Sequence, residues 1–596
     1  MIVRLAVVLV AAALGLGAQV DRGRRVYAER CAACHGGDAH GGERAPEIRS
    51  RVGLRDDAAL ADLIREGLQG AGMPGTRIND NDLRDLVAWL RTLRAPEAPV
   101  KPVREVKSVN GRDWPTYHGD IGGNRYSDLS QIAPRNVKAL QVAWIYSSSG
   151  WQRLEVTPVV VDGVMYVTSV NEVHALIAGS GDLLWHYRRP RTKGVVGDAA
   201  GGINRGVAIG GDRLFMVTDH AHLLALDRRN GALLWDIEMA DYRQNYGATA
   251  APLVVGDLVI SGTSGGDEGV RGFVSGYRVS NGERAWRFWT TPLPHGCAST
   301  WMTGTYDAAQ DLLFWNTGNP CPDYNGDDRP GDNLYSDSVL ALRPKTGELA
   351  WHYQFTPHDL HDWDAQQTPM VVDDGARKLL VQANRNGFFY VLDRTNGKLI
   401  LAKPFVQKMT WAKEIGKDDR PVVIPESNPS REGVKACPSV EGATNWFSTA
   451  YHPELRLFFV QALEKCNIYV KEPGHWEAGK SYYDGATHDV PGEPGQKVLR
   501  ALDLDSGRVV WEKPQQGPAN SWGGVLATAP GLLFAAEDNG DFVARDAKTG
   551  AQLWKFSTHQ VWKASPMSYR YDGRQYVAIA AGGTILVFGL PETQNE

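Results

Sequence analysis

The phrase Ala225-Leu226-Asp227-Arg228-Arg229-Asn230-Gly231-Ala232-Leu233-Leu234-Trp235 recurs along the chain. It returns as Ala341-Leu342-Arg343-Pro344-Lys345-Thr346-Gly347-Glu348-Leu349-Ala350-Trp351, then from Ala501 through Gly507 to Trp511, and from Ala544 through Gly550 to Trp554. Looser copies end at Trp185 and Trp286, and one at Leu399-Ile400 lacks the tryptophan. Each copy reads as a strand, a tight turn at the glycine and a second strand. Hairpins repeating at a period of about 40–50 residues point to a β-propeller. The recurring tryptophan then packs between neighbouring blades, which accounts for most of the 19 tryptophans. Seven visible copies, with one concealed where the chain ends meet, predict eight blades.

Outside the repeat the chain changes character. With 596 residues it is too long for one ordinary core, although β architectures can grow large as a unit. Its 64 basic and 69 acidic residues nearly balance, so neither a nucleic-acid footprint nor a polybasic membrane anchor is indicated. Met1-Ile2-Val3-Arg4 is a positive n-region, Leu5 to Leu16 is apolar, and Gly17-Ala18 offers small residues for cleavage. The apolar run falls short of the roughly 20 residues that span a bilayer, and no later segment is long and apolar enough. A cleaved signal over residues 1–18 and a periplasmic mature protein are expected. Ala95-Pro96-Glu97-Ala98-Pro99-Val100-Lys101-Pro102 reads as a semi-rigid linker within 95–112, leaving residues 19–94 and 113–596 as two domains.

The first domain opens on Cys31-Ala32-Ala33-Cys34-His35. Two thiols at this spacing can each form a thioether while the adjacent histidine ligates iron, the attachment pattern of a c-type haem. Residues 57–69 read as a helix, Gly70 to Gly75 as a loop, and Asn79 as the start of a second helix reaching Leu93. Met73, in that loop, is the expected second axial ligand, a His/Met pair that raises the reduction potential. The unit resembles a small class I cytochrome c. The remaining Cys297, Cys321, Cys437 and Cys466 can form two disulfides in an oxidising compartment, with the pairing left open.

Phrases lying between the repeats resemble those of the pyrroloquinoline quinone (PQQ) dehydrogenases, eight-bladed quinoproteins that oxidise alcohols or sugars. Glu155 before Thr157-Pro158, and Asn204-Arg205-Gly206, match family contacts to PQQ carboxylates; a planar guanidinium suits bidentate carboxylate binding. Thr249, Ser264, Gly265 and Gly266 match further cofactor contacts. Trp301 matches the tryptophan beneath the quinone rings, where a flat cofactor needs an apolar π face; Ser299 stands where the family has threonine. Arg385, Asn445, Trp446 and Trp522 complete the implied PQQ set. The resemblance places a hard cation beside PQQ, calcium or a lanthanide, on Asn319, on Asp267 where a glutamate is usual, and on Asp362 and Asp364. Asp362 is the implied catalytic base.

One departure stands out. Many alcohol-oxidising relatives carry a vicinal disulfide where this chain has Ala199-Ala200-Gly201-Gly202. Cys437 and Cys466 resemble a family disulfide. Cys297 and Cys321, flanking Trp301 and Asn319 in adjacent loops near the implied site, are expected to form a second.

The expected protein is therefore mainly β: an eight-bladed quinoprotein propeller with a small all-α cytochrome c domain at its N-terminus. It would oxidise an alcohol with PQQ and pass electrons singly to haem c, then to an external cytochrome, copper protein or quinone. A PQQ-dependent sugar or polyol dehydrogenase is the alternative. A non-catalytic scaffold would have no reason to keep Glu155, Arg205, Trp301, Asn319, Asp362 and Arg385 together.

Overall fold

Eight four-stranded antiparallel sheets follow one another around the computed structural model, at 159–188, 208–238, 253–289, 305–354, 370–404, 450–514, 525–557 and 567–589. The eighth takes its outermost strand, Gln141–Ser147, from the other end of the repeat region, paired antiparallel to Thr584–Gly589. Tyr126–Ser127 adds a fifth, parallel strand to the seventh sheet. The structure describes residues 18–36, 39, 45, 48, 52, 57–68, 73–93, 113–197 and 201–591. The expected signal segment before residue 18, the linker 95–112, and Ala199-Ala200 lie outside them. The chain divides into two compact units, Met1–Glu105 and Val106–Glu596.

The glycine–tryptophan phrase explains how the blades interlock. Gly231, Gly347, Gly507 and Gly550 have φ of 74°, 72°, 66° and 70°, a left-handed turn conformation that favours glycine. Gly231, Gly347 and Gly550 also receive the tryptophan of the preceding blade. A Cβ on Gly231 would sit 2.5 Å from Trp185, and one on Gly347 would sit 2.4 Å from Trp286. Each indole then donates to a carbonyl in that turn: Trp185 to Arg228 at 3.0 Å, Trp286 to Pro344 at 2.8 Å and Trp511 to Ala547 at 3.1 Å. Trp144, on the strand that closes the ring, packs on Gly181 and is the concealed eighth copy. In the copy without tryptophan, Leu401 and Lys403 cover Gly507.

The N-terminal unit is helical: α1 over 18–30, α2 Ala32–His35, α3 Asp57–Glu66 and α4 Asp80–Thr92. Leu60 and Ile64 of α3 meet Leu83, Leu86 and Leu90 of α4 in one apolar core, where Tyr27 and Trp89 lie 4.4 Å apart. Asn79 caps α4 by accepting from the Asp82 amide. The helix expected over 57–69 ends earlier, at Glu66, because Gly67 turns left-handed (φ 75°) and the chain enters a short ladder. That ladder pairs Leu68 with Met73, so Met73 begins a two-residue strand, whereas 70–72 of the expected loop lie outside the described residues.

Candidate active site

Blade geometry dictates where the site forms. The connection entering a blade's first strand and the turn between its second and third strands emerge at the same end of the propeller. Glu155, Arg205, Thr249, Ser299, Trp301, Asp362, Asp364, Asn445, Trp446 and Trp522 lie on entering connections, whereas Ser264 to Asp267, Asn319 and Arg385 lie on second-to-third turns. All of them therefore converge on one end of the ring. Except for Asn319 they line one cavity of about 390 Å³. Beneath it, Tyr117, Ala251, Met302, Trp446 and Phe447 form an apolar base against which Trp301 and Trp522 pack.

On one side, Arg205 donates to Glu155 Oε2 at 2.8 Å and to Thr249 Oγ1 at 2.7 Å. Its guanidinium lies 4.9 Å from the Trp301 ring and 4.6 Å from the Trp446 ring. Arg205 Nε is buried without a partner. Gly266 lies close under Ser299: a Cβ there would stand 2.7 Å from Ser299 Oγ and force that hydroxyl to move. Asn445 donates to the Glu441 carbonyl.

On the other side stand the aspartates. Asp359 accepts the amides of His361 and Trp363 at 3.0 and 2.7 Å, which folds the segment so that Asp362 takes a left-handed backbone, φ 60°. Such strain in a residue other than glycine persists only where surroundings enforce it. Asp362 Oδ1 is buried without a partner, and Oδ2 is 3.7 Å from Arg385 Nη2. Arg385 binds Asp364 Oδ2 more closely, at 2.6 Å, and donates to the Val440 carbonyl. Asp364 Oδ1 accepts the Asn319 amide at 3.0 Å, and the Trp301 indole donates to the same carboxylate. Burial pushes Asp362 well above the usual carboxylate range and raises Asp364 as well; Arg385 opposes both, and the neighbouring carboxylates add to it.

Carboxylate oxygens of Asp267, Asp323 and Asp362 lie within 4.8 Å of one another. Asp323 has no counterpart among the expected ligands. Asp364 is held by Arg385 instead of standing in this cluster, and Asn319 lies behind the cavity wall, donating to Asp323 Oδ1 at 2.9 Å. Asn319 Oδ1, Asp323 Oδ2 and Asp362 Oδ1 are all buried and unpartnered. Buried charge in proteins is paired or binds metal, so orphaned oxygens in an all-oxygen donor set fit a hard cation. The cavity likewise fits a flat, multiply anionic cofactor. Aromatic faces line it, and the buried Nε–H groups of Arg205 and Arg385 have no acceptor. Arg153 and Lys563 also line it and add positive charge that no motif signalled.

Disulfides join Cys297 to Cys321 and Cys437 to Cys466. Both sulfurs of the first pack against the Gly266 carbonyl oxygen, at 2.7 and 2.9 Å. Disulfide sulfurs carry no proton, so these are packing contacts that tie the Asp267 turn to the Asn319–Asp323 loop. Val434–Ala436, Asn467–Lys471 and Gly485–Asp489 form an inserted sheet. The loop inside it packs beside the cluster: the Tyr482 amide donates to the Asp267 carbonyl at 2.6 Å, and Trp476 stacks on His295.

In the other unit, Cys31 and Cys34 are outside any disulfide and half-buried, at the start and within α2, with His35 buried beside them. Burial, and next the neighbouring Cys34, pushes the Cys31 thiol up to about 11. Tyr27 donates to the Gly36 carbonyl at 2.8 Å and pins the turn after His35. Met73 is half-buried.

The family model for the glucose/ethanol/alcohol dehydrogenase β-propeller domain matches residues 114–404 and 493–577, and that for cbb3-type cytochrome c oxidase subunit III matches 18–90. The quinoprotein alcohol dehydrogenase PedH of Pseudomonas putida is 36% identical over 523 residues, covering 79% of this chain and 86% of its own. Quinohemoprotein alcohol dehydrogenase ADH IIB of Pseudomonas putida is 37% identical over 514 residues, covering 79% and 74%. The crystal structure of quinohemoprotein alcohol dehydrogenase from Comamonas testosteroni superposes with a TM-score of 0.76 at 31% identity, covering 81% of this chain and 82% of that one. A europium-containing methanol dehydrogenase gives a TM-score of 0.75 at 30% identity, covering 82% and 99%. Repeat, site and relatives agree: the chain belongs to the PQQ-dependent alcohol dehydrogenase family, with a cytochrome c domain on the N-terminal side of its propeller.

Proposed function

We propose that this protein is a periplasmic alcohol dehydrogenase that passes its electrons to its own c-type haem and then to an external acceptor. The observation that carries the reading is Asp362: a half-buried aspartate in a left-handed backbone, its buried Oδ1 without a partner, facing an aromatic-lined cavity between an arginine and a cluster of acids. When bound, PQQ supplies a two-electron acceptor and the adjacent cation supplies Lewis acidity.

The chain's own residues have separable tasks. Arg205, steered by Glu155 and Thr249, binds and orients carboxylate, while Trp301 provides the flat apolar support. Asp362 Oδ1 accepts the proton of the substrate hydroxyl. Arg385 favours the ionised form of Asp362 and so keeps it competent as a base. Because burial raises the Asp362 carboxyl and the base must be deprotonated, turnover should fall as pH drops through its value. Cys31 and Cys34 would hold haem covalently, and His35 with Met73 would ligate its iron, giving electrons an outlet one at a time.

The test is reconstitution of the full chain with PQQ and either Ca²⁺ or La³⁺, followed by haem reduction as alcohols, aldehydes and sugars are supplied. Alcohol-dependent reduction is expected. No reduction by any substrate with either metal refutes the reading. Asp362→Asn should abolish turnover while PQQ still binds; unchanged turnover would remove Asp362 as the base.

A further inference from the structure

The proposed function requires a cation beside the cofactor, and one acid near it has no role in that reading. Asp323 sits four residues beyond Asn319, between Leu312–Asn316 and Ser338–Leu342. It is 1% exposed. Oδ1 accepts from Asn319 Nδ2, and Oδ2 has no partner.

Among the described residues, no nearby cation is spent on it. Arg329 donates to the Pro322 and Asp359 carbonyls and to Asn333, and Arg385 is committed to Asp364 and the Val440 carbonyl. An uncompensated carboxylate at this depth is costly, and the usual remedy is a paired charge or a metal. The position of the acid is also fixed. The Cys297–Cys321 bridge, two residues before Asp323, holds its loop against the Gly266 carbonyl, one residue before Asp267.

We propose, building on the metal-dependent reading above, that Asp323 is a direct ligand of the cation, supplying with Asp267, Asp362 and Asn319 Oδ1 a donor set biased toward trivalent ions. Asp267 has a short side chain, and Asp323 brings a carboxylate from the opposite loop to the same few ångströms. Asp267, Asp323, Asp362 and Asp364 together carry four potential negative charges, of which Arg385 offsets one. Ligand charge count is a principal determinant of affinity at all-oxygen sites, so a carboxylate-rich set favours the more highly charged ion.

The test compares the PQQ-loaded full chain with its Asp323→Asn and Asp364→Asn variants after metal stripping. La³⁺ and Ca²⁺ affinities come from equilibrium dialysis against buffered free metal, with bound metal determined by elemental analysis. Asn at 323 can still accept the Asn319 hydrogen bond, so the loop keeps its support. Losing an outer-shell partner costs about 10–100-fold in metal affinity. D323N should weaken La³⁺ binding by at least about 100-fold, and should lower the La³⁺/Ca²⁺ affinity ratio by about tenfold or more. D364N should change that ratio less. An equal loss for both metals, or D323N within threefold of wild type, overturns the proposal while leaving the dehydrogenase reading intact. A PQQ-loaded wild type that binds neither metal overturns both. Independently of any variant, anomalous diffraction from La³⁺-loaded wild type should find an Asp323 oxygen about 2.3–2.6 Å from the ion. A distance beyond bonding range overturns the proposal.

Discussion

Lys497 offers a quantitative check on the electrostatics beneath the cavity. It lies on Gln496–Asp503 of the sixth blade, 5% exposed, with Nζ 4.6 Å from the Phe447 ring and 5.9 Å from that of Trp522. Burial pulls its ammonium from 10.5 down to about 8; Asp538 and Glu441 oppose this, and Lys563 and Lys465 reinforce it. The unfolded chain therefore binds more protons than the native one between pH 8 and 10.5, and stability should climb through that window. Below it the full penalty applies, about 3 kcal/mol at 1.36 kcal/mol per pH unit. The two aromatic faces favour the charge by only about 0.5–2 kcal/mol. Lys497→Met should accordingly stabilise the protein at pH 7. The net gain is then about 1–2.5 kcal/mol; unfolding entropy near 2.1 cal/mol/K per residue gives about 1 kcal/mol/K for the roughly 490-residue propeller unit, so the melting temperature should rise by about 1–2.5 °C. At pH 10.5, where the native amine is neutral, the gain should vanish. Scanning calorimetry at the two pH values decides the matter. A variant that melts lower at pH 7 would mean that the rings outweigh burial, and a gain independent of pH would mean that charge is not the cause.

Three further outcomes follow from particular contacts. Trp286 donates to Pro344, whereas Trp351 Nε1 is buried without an acceptor. Trp286→Phe should therefore cost about 1 kcal/mol more than Trp351→Phe in thermal unfolding, and equal losses would deny the indole bond a role in joining blades. Opening the Cys297–Cys321 bridge with paired serines frees a link across 24 residues, worth about 3 kcal/mol in chain entropy. It should also weaken cation binding measured by calorimetric titration; a variant with wild-type metal affinity would show that the clamp on Gly266 is dispensable. Met73→Ala should lower the haem reduction potential in spectroelectrochemical titration, and an unchanged potential would remove Met73 as an axial ligand.

The blades were legible because one constraint is written twice, as a left-handed glycine and as the tryptophan that covers it. The concealed copy at Trp144 could not be seen as a repeat, because its partner strands lie at the opposite chain end. Arg205, Trp301 and Arg385 were legible through short phrases around them. Asp323, Arg153 and Lys563 were not, since each is a single charged residue in a loop, and only ring closure brings Arg153 and Lys563 to one cavity and Asp323 beside Asp267 and Asp362. Their signal is three-dimensional: burial without a partner for Asp323, and convergence of loops from distant blades for the two cations. The early end of α3 had a local sign, Gly67, that outweighed the apolar period continuing past it.

The pairing of Gln141–Ser147 with Thr584–Gly589 governs the order of biogenesis. Closing a chain segment of about 440 residues costs about 5 kcal/mol of loop entropy before any of that ladder forms, and contacts this remote in sequence make folding slow. Until the last strand has been synthesised, the eighth sheet lacks its final edge. The walls of the cavity, drawn from Arg153 through Lys563, then rest on an unclosed ring. The Cys31–His35 segment depends on none of this, because its core is assembled from residues before position 94. That unit can therefore fold before the propeller closes, and on the proposed function its haem attachment would come before the quinone and its cation are bound.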